Sequence, residues 1–472
     1  MTRAVRLLAV ACFALQAANQ DPWLRITSAN FELFTTAGER SGRDLIKHFE
    51  QVRSFFIQAF GARLALGKPA RIIAFRSEKE YRPYRPNEFA TAFYQPGAEH
   101  DFIVMQSGSG DHYDVAVHEF THLLIHQSSQ PVPVWLNEGM AELYSNLAPA
   151  GSKIVVGKLI AGRVQTLLHE KWIDLRVLVS VDHTSPLYSE RSQAGMFYAE
   201  SWALVHMLNL DTAYRPQFRA MLEALKDGDA AAAFERAYGK PIERVQDDLR
   251  AYLTGNTINA AVFDIQLPKA VDSPRIEPGA GLSARLALAE LLANYRGRLE
   301  QARAAYEQLA RDYPKRWEVE EGWAQFSWRQ RKNDDALRHF ARAAELGCRH
   351  AGMFIDYARI LEYSQRDQNA NQDAVAALQT AIRLDPTLEE AHFELGLAYV
   401  RVARYAEAMG ELQQVKKVNP AQASRYFYNL AYASYRMGDA AKARAFLEKG
   451  RPYATNPEEA AQLDRLQHAL DR

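Results

Sequence analysis

Two short segments of this 472-residue chain have to meet in space if their side chains are to make chemical sense. The first reads His118-Glu119-Phe120-Thr121-His122, and the second, further on, Trp135-Leu136-Asn137-Glu138-Gly139. Residues four apart on a helix project from one face, so His118 and His122 can reach a single metal ion. Glu119 then stands beside them as a free carboxylate. Glu138 supplies a third donor, which leaves the fourth position of a tetrahedral zinc site open for water or substrate. Residues 113–127 carry Val115, Val117, Phe120, Leu123 and Leu124 at helical spacing, with Asp111 or Asp114 able to cap the start. A second helix is expected to begin near Pro133 and to show Glu138 and Glu142 on one face. The plainer alternative is two solvent-facing histidines on an amphipathic helix.

With both segments in view, the chain resembles the gluzincin metallopeptidases, including thermolysin and the aminopeptidase-N-like enzymes. It is most similar to the bacterial peptidase MA-like proteins that carry tetratricopeptide repeats. The resemblance implies that His118, His122 and Glu138 bind zinc and that Glu119 is the general base. Glu142 lies one turn after Glu138, where thermolysin-like proteins have an acidic residue that supports a ligand histidine. As a carboxylate it can accept the outer N–H of such a histidine and fix its tautomer. A solvated helix residue is the other reading of Glu142.

An oxyanion developing opposite the metal needs a hydrogen-bond donor. The stretch 197–208 is similar to the helix that bears the catalytic tyrosine in aminopeptidase-N-like enzymes, which points to Tyr198, with Tyr188 in reserve. A core tyrosine is the alternative. His126 stands one further turn along the helix, about 6 Å beyond the pair, and reads as a packing or surface histidine. The G-x-M-E-N segment with which the aminopeptidases hold a free amino terminus is missing. Strands over 92–95 and 101–106 take its place, and a strand there can pair with an extended peptide. Endopeptidase action is therefore the default expectation.

Basic and acidic residues balance at 57 each, which argues against nucleic acid or an anionic membrane as the main partner. No segment reaches the ~20 apolar residues of a membrane span. Arg3 and Arg6, the apolar run 7–15 and the small residues Ala17 and Ala18 form the pattern of an export signal, implying a periplasmic or secreted protein. Ala9-Val10-Ala11-Cys12 resembles a lipobox, which would lipidate Cys12, although it lacks the leucine three positions before the cysteine. With the signal removed, Cys348 would be the one cysteine left and no intramolecular disulfide could form.

The pattern predicts an α+β, thermolysin-like catalytic domain with a helical lower half, followed by an all-α tetratricopeptide-repeat superhelix. The expected boundaries are 1–18 for the signal and 19–150 for the upper half with the zinc-binding helices. The lower half is expected over 151–272, mainly helical and interrupted at Pro186 and Gly195. A proline- and glycine-rich linker is expected over 273–282, so that a fragment ending near Pro274 should fold alone. Repeats are expected over 283–471. Pro386 and Pro420 stand 34 residues apart, the tetratricopeptide period, with Leu395, Gly396, Tyr399, Ala408 and Leu412 at signature positions. Related copies give about five repeats, one of them preceded by a polar loop over 364–373. The resulting expectation is a zinc-dependent peptidase acting outside the cytoplasm on peptides or proteins. Its repeat array would bind substrate or a protein partner. The alternative is a non-catalytic repeat scaffold with a peptidase-like zinc domain.

Overall fold

The structure is a computed structural model that describes residues 22–60, 70–88, 90–107, 111–127, 132–189, 191–255, 259–266, 273–364 and 368–472. The expected export signal over 1–18, including Cys12, lies outside the described residues, as do the side chains of His112 and His126. Among the described residues no helix is long and apolar enough to cross a membrane. The chain divides into two compact units, Met1–Arg298 and Leu299–Arg472.

The first unit opens with β1 (Leu24–Thr27), β2 (Phe31–Thr35), α1 (Glu39–Phe60) and β3 (Ala70–Phe75). Then come α2 (Glu78–Tyr81), capped by the Ser77 side chain, β4 (Ala92–Gln95) and β5 (Asp101–Gln106). The expected helices follow as α3 (Asp111–Gln127) and α4 (Val134–Ser145). The next stretch holds β6 (Ala148–Ala150), β7 (Lys153–Val156), α5 (Ala161–His169), α6 (Leu175–Leu178), α7 (Pro186–Ser189) and α8 (Arg191–Leu210). The unit ends with α9 (Phe218–Ala224), α10 (Ala230–Tyr238), α11 (Ile242–Thr254), β8 (Ala261–Asp264), β9 (Arg275–Pro278) and α12 (Gly281–Ala293).

Six strands form a mixed sheet in the order β4-β5-β3-β2-β1-β9. The side-chain period of two sorts its residues onto two buried faces. Ile26, Leu33, Ile72 and Ile103 join α1 and α3 in the main core, through Phe49 and Phe120 among others. Phe34, Ile73, Phe102 and Val104 face the other way and pack on Ala284, Ala287, Leu288 and Leu291 of α12. Cover on both faces accounts for the nearly unbroken apolar runs of β3 and β5.

Several expectations need correction. The stretch read as a linker over 273–282 is structural: β9 pairs antiparallel with β1, and the Ala280 N–H donates to the Trp23 carbonyl at 3.1 Å. Arg71 links Glu32 of β2 to Glu290 of α12, tying that helix to the sheet. Prolines and glycines near 274–281 mark the two ends of an edge strand rather than a break between units. The residues expected as the two halves of one catalytic domain, 19–150 and 151–272, do lie in one compact unit. Their second part is not wholly helical, since β6, β7 and β8 make a small antiparallel sheet. Pro186 opens α7, a helix start that proline tolerates, and Gly195 lies within α8 instead of interrupting it.

In the second unit, helices from Leu299–Asp312 to Pro457–Leu470 follow one another through short turns. Ala336, Ala374, Leu378, Ala408, Leu412 and Ala443 are all fully buried. A Cβ on Gly396 would lie 2.5 Å from the Leu412 side chain, so only glycine permits that helix crossing. The polar insertion is shorter than expected, because a helix begins at Gln368 and runs to Leu384.

Candidate metal centre

Helices α3 and α4 pack together and bring the two segments face to face. His118 Nε2 and His122 Nε2 lie 3.1 Å apart. Glu138 Oε2 lies 3.5 Å from the first and 3.4 Å from the second. Three donors held about 2.0–2.1 Å from one tetrahedral ion would be spaced about 3.3 Å apart, so the triangle has the size of a zinc site. Among the described residues this is the group of three whose donor atoms converge in this way. The Glu138 carboxylate is almost wholly buried, and its Oε2 has no hydrogen-bond partner. A buried, unsatisfied carboxylate oxygen aimed between two imidazole nitrogens is what a cation there would satisfy. The residues present therefore fit zinc.

The local electrostatics agree. Burial alone would raise the Glu138 carboxyl, but the adjacent imidazoles hold it below the usual carboxylate range. Burial would likewise lower His122, yet Glu138, Glu119 and Asn137 outweigh it and hold the imidazole up at about 9. The pocket thus favours positive charge.

Each donor is oriented from behind. The Asn137 Oδ1 atom lies 3.1 Å from His122 Nδ1. Glu142 Oε1 lies 3.5 Å from His118 Nδ1, and Arg163 of α5 grips the same carboxylate with two bonds of 2.8 and 2.7 Å. The Tyr188 hydroxyl donates to Glu138 Oε1 at 3.1 Å, leaving Oε2 to face the histidines. Such partners fix ring tautomer and carboxylate rotation.

Glu119 reaches β4, the edge of the large sheet, where its Oε2 accepts the Tyr94 N–H at 2.9 Å. Burial raises its carboxyl above the ordinary range, opposed by His118, His122 and that N–H. Tyr198 lies on α8 with its ring 6.3 Å from that of Tyr188. All six expected residues are thus brought together, with Tyr188, held in reserve, the tyrosine that touches a donor directly. Asn137, Arg163 and the Tyr94 N–H were not singled out from the sequence. Asn137 sits inside the Asn-Glu-Gly motif and was within reach of it. Arg163 pairs with Glu142 from a separate helix and carried no spacing signal.

The glycine of that motif has a packing role. A Cβ on Gly139 would lie 2.4 Å from the Ser201 carbonyl and 2.5 Å from Val205 Cγ2, so α4 and α8 meet through it. Gly139→Ala is expected to destabilise the unit by about 1–3 kcal/mol through overpacking. Urea unfolding measures this, and an unchanged midpoint would mean that α8 retreats without penalty.

Comparison with known proteins matches tetratricopeptide repeats, the first match beginning within α12 of the first unit. The family models "TPR repeat" and "Tetratricopeptide repeat" match residues 364–402, and 283–316 and 424–450, respectively. No curated protein matches the chain. Among solved structures, one described as "YrrB: a TPR protein with an unusual peptide-binding site" is similar at 20% identity and TM-score 0.34. The match covers 39% of this chain and 91% of that one. MamA is similar at 18% identity over 37% of this chain and 92% of its own, with TM-score 0.32. PilF of Pseudomonas aeruginosa is similar at 19% identity over 40% and 84%, also with TM-score 0.32. The family models show that the C-terminal part of the chain carries tetratricopeptide repeats, which imply binding of a protein partner.

Proposed function

We propose that the protein is a zinc-dependent peptidase of the gluzincin type, probing its substrate or partner with the repeat array and working outside the cytoplasm. The observation that carries this reading is the convergence of His118, His122 and Glu138 within 3.1–3.5 Å, with Glu119 on the next helical position. Zinc bound by these three would act as a Lewis acid toward the peptide carbonyl and water. Glu119, kept basic by burial, would take the proton of the attacking water and pass it to the leaving nitrogen. Tyr198 is assigned to the developing oxyanion, while Tyr188 holds the ligand carboxylate. An extended peptide would add along β4, an edge strand among the described residues, which Glu119 already touches. No terminal-amine site adjoins it in the sequence, so we assign endopeptidase action.

The second reading is a non-catalytic scaffold, and the repeat matches favour it, since they concern protein binding alone. Glu119 separates the two, because a purely structural zinc site has no use for a further, non-ligating carboxylate. Metal analysis and casein-type proteolysis of the purified chain form the test. One zinc per chain is expected, with its loss in His122→Ala. Unchanged stoichiometry in that variant would remove the ligand assignment, and zinc without proteolysis would favour the scaffold.

A further inference from the structure

The Glu142 carboxylate does more than pair with an arginine. Its Oε1 takes the Arg163 Nη2 donor at 2.7 Å and is the same oxygen that stands 3.5 Å from His118 Nδ1. Its Oε2 takes Arg163 Nε at 2.8 Å, so both oxygens are fixed by one planar fork. The carboxylate is nearly buried, and the arginine is about one-quarter exposed. The guanidinium also lies over the Tyr198 ring, with its carbon 5.2 Å from the centroid. One side chain of α5 therefore touches both the support of a metal-binding histidine and the tyrosine assigned to the oxyanion.

We propose that Arg163 is a positioning residue for this centre, holding Glu142 in the rotamer that fixes His118 while setting the Tyr198 ring against the same guanidinium. The proposal rests on the zinc reading given above. Without the arginine, Glu142 is a buried carboxylate lacking its counter-ion and the fork that fixes its rotamer. His118 then loses its fixed orientation. Lysine restores charge but neither the fork nor the flat cation over the ring.

The test is zinc affinity of the full chain, measured by competition with a chelator of known affinity. Arg163→Met is expected to weaken zinc by about 10–100-fold, the range for loss of an outer support, with Arg163→Lys in between. Far-UV circular dichroism of the zinc-free proteins should be unchanged. Because Arg163 acts through Glu142, the double variant with Glu142→Gln should bind zinc no more weakly than Glu142→Gln alone. Wild-type affinity in Arg163→Met, or additive losses in the double variant, would overturn the proposal and leave the zinc reading intact. A wild-type chain that binds no zinc would overturn both. If Arg163→Met is insoluble, Glu142→Gln with and without Arg163→Lys measures the same coupling.

Discussion

A chain ended at Pro274 is expected to be insoluble, whereas one ended at Arg298 is expected to fold and, on the proposed reading, to hold zinc. The shorter chain loses β9, the antiparallel partner of β1, and all of α12. It would expose Phe34, Ile73, Phe75, Phe93, Phe102 and Val104, now covered by that helix. Leu288 and Leu291 alone contribute about 1.5–3 kcal/mol each by burial. The loss would also leave Arg71 and His100 without Glu290. Total stabilities of domains are only about 5–15 kcal/mol, so the sum is expected to unfold the unit. Soluble expression and thermal unfolding of both fragments decide the matter. A cooperative transition in the shorter one would show that α12 is dispensable.

The second large effect concerns Glu119. Glu119→Gln is expected to keep one zinc per chain and the fold, yet to lower peptide hydrolysis by about 10²–10⁴-fold. Glutamine has nearly the same shape and can accept a hydrogen bond from the Tyr94 N–H through its carbonyl oxygen, but it cannot take a proton from water. Zinc analysis beside a proteolysis rate reads both properties. A variant retaining more than about a tenth of the rate would exclude Glu119 as the base.

The core of the site was legible because it is local. Two histidines one helical turn apart and a glutamate on the following helix are written in adjacent segments, and helical geometry does the rest. The edge strand β4 was readable for the same reason. What escaped reading depends on contacts between distant parts of the chain. Arg163 has meaning only through Glu142, and β9 only through β1. In isolation, the prolines and glycines around 274–281 have the composition of a linker, and the pairing that makes them a strand is invisible to local pattern. The small sheet of β6, β7 and β8 was missed because its strands are three or four residues long, too short for a clear alternation. Gly139 was recognised as part of a motif, but the carbonyl of Ser201 that demands a glycine belongs to another helix.

The pairing of β1 with β9 also sets a clock. Arg25 and Glu277, which face each other across that pair, are 252 residues apart in the chain. At synthesis rates of about 5–20 residues per second, the first strand waits on the order of tens of seconds for its last neighbour. During that interval β1 presents an unpaired edge, a ready template for wrong association. Closing so long a loop adds little to the entropy of folding, since that term grows only with the logarithm of length. It does raise the contact order, and hence slows the approach to the native state. The first unit is thus built to finish late, when its two ends are stitched together, and the nascent chain stays open until then.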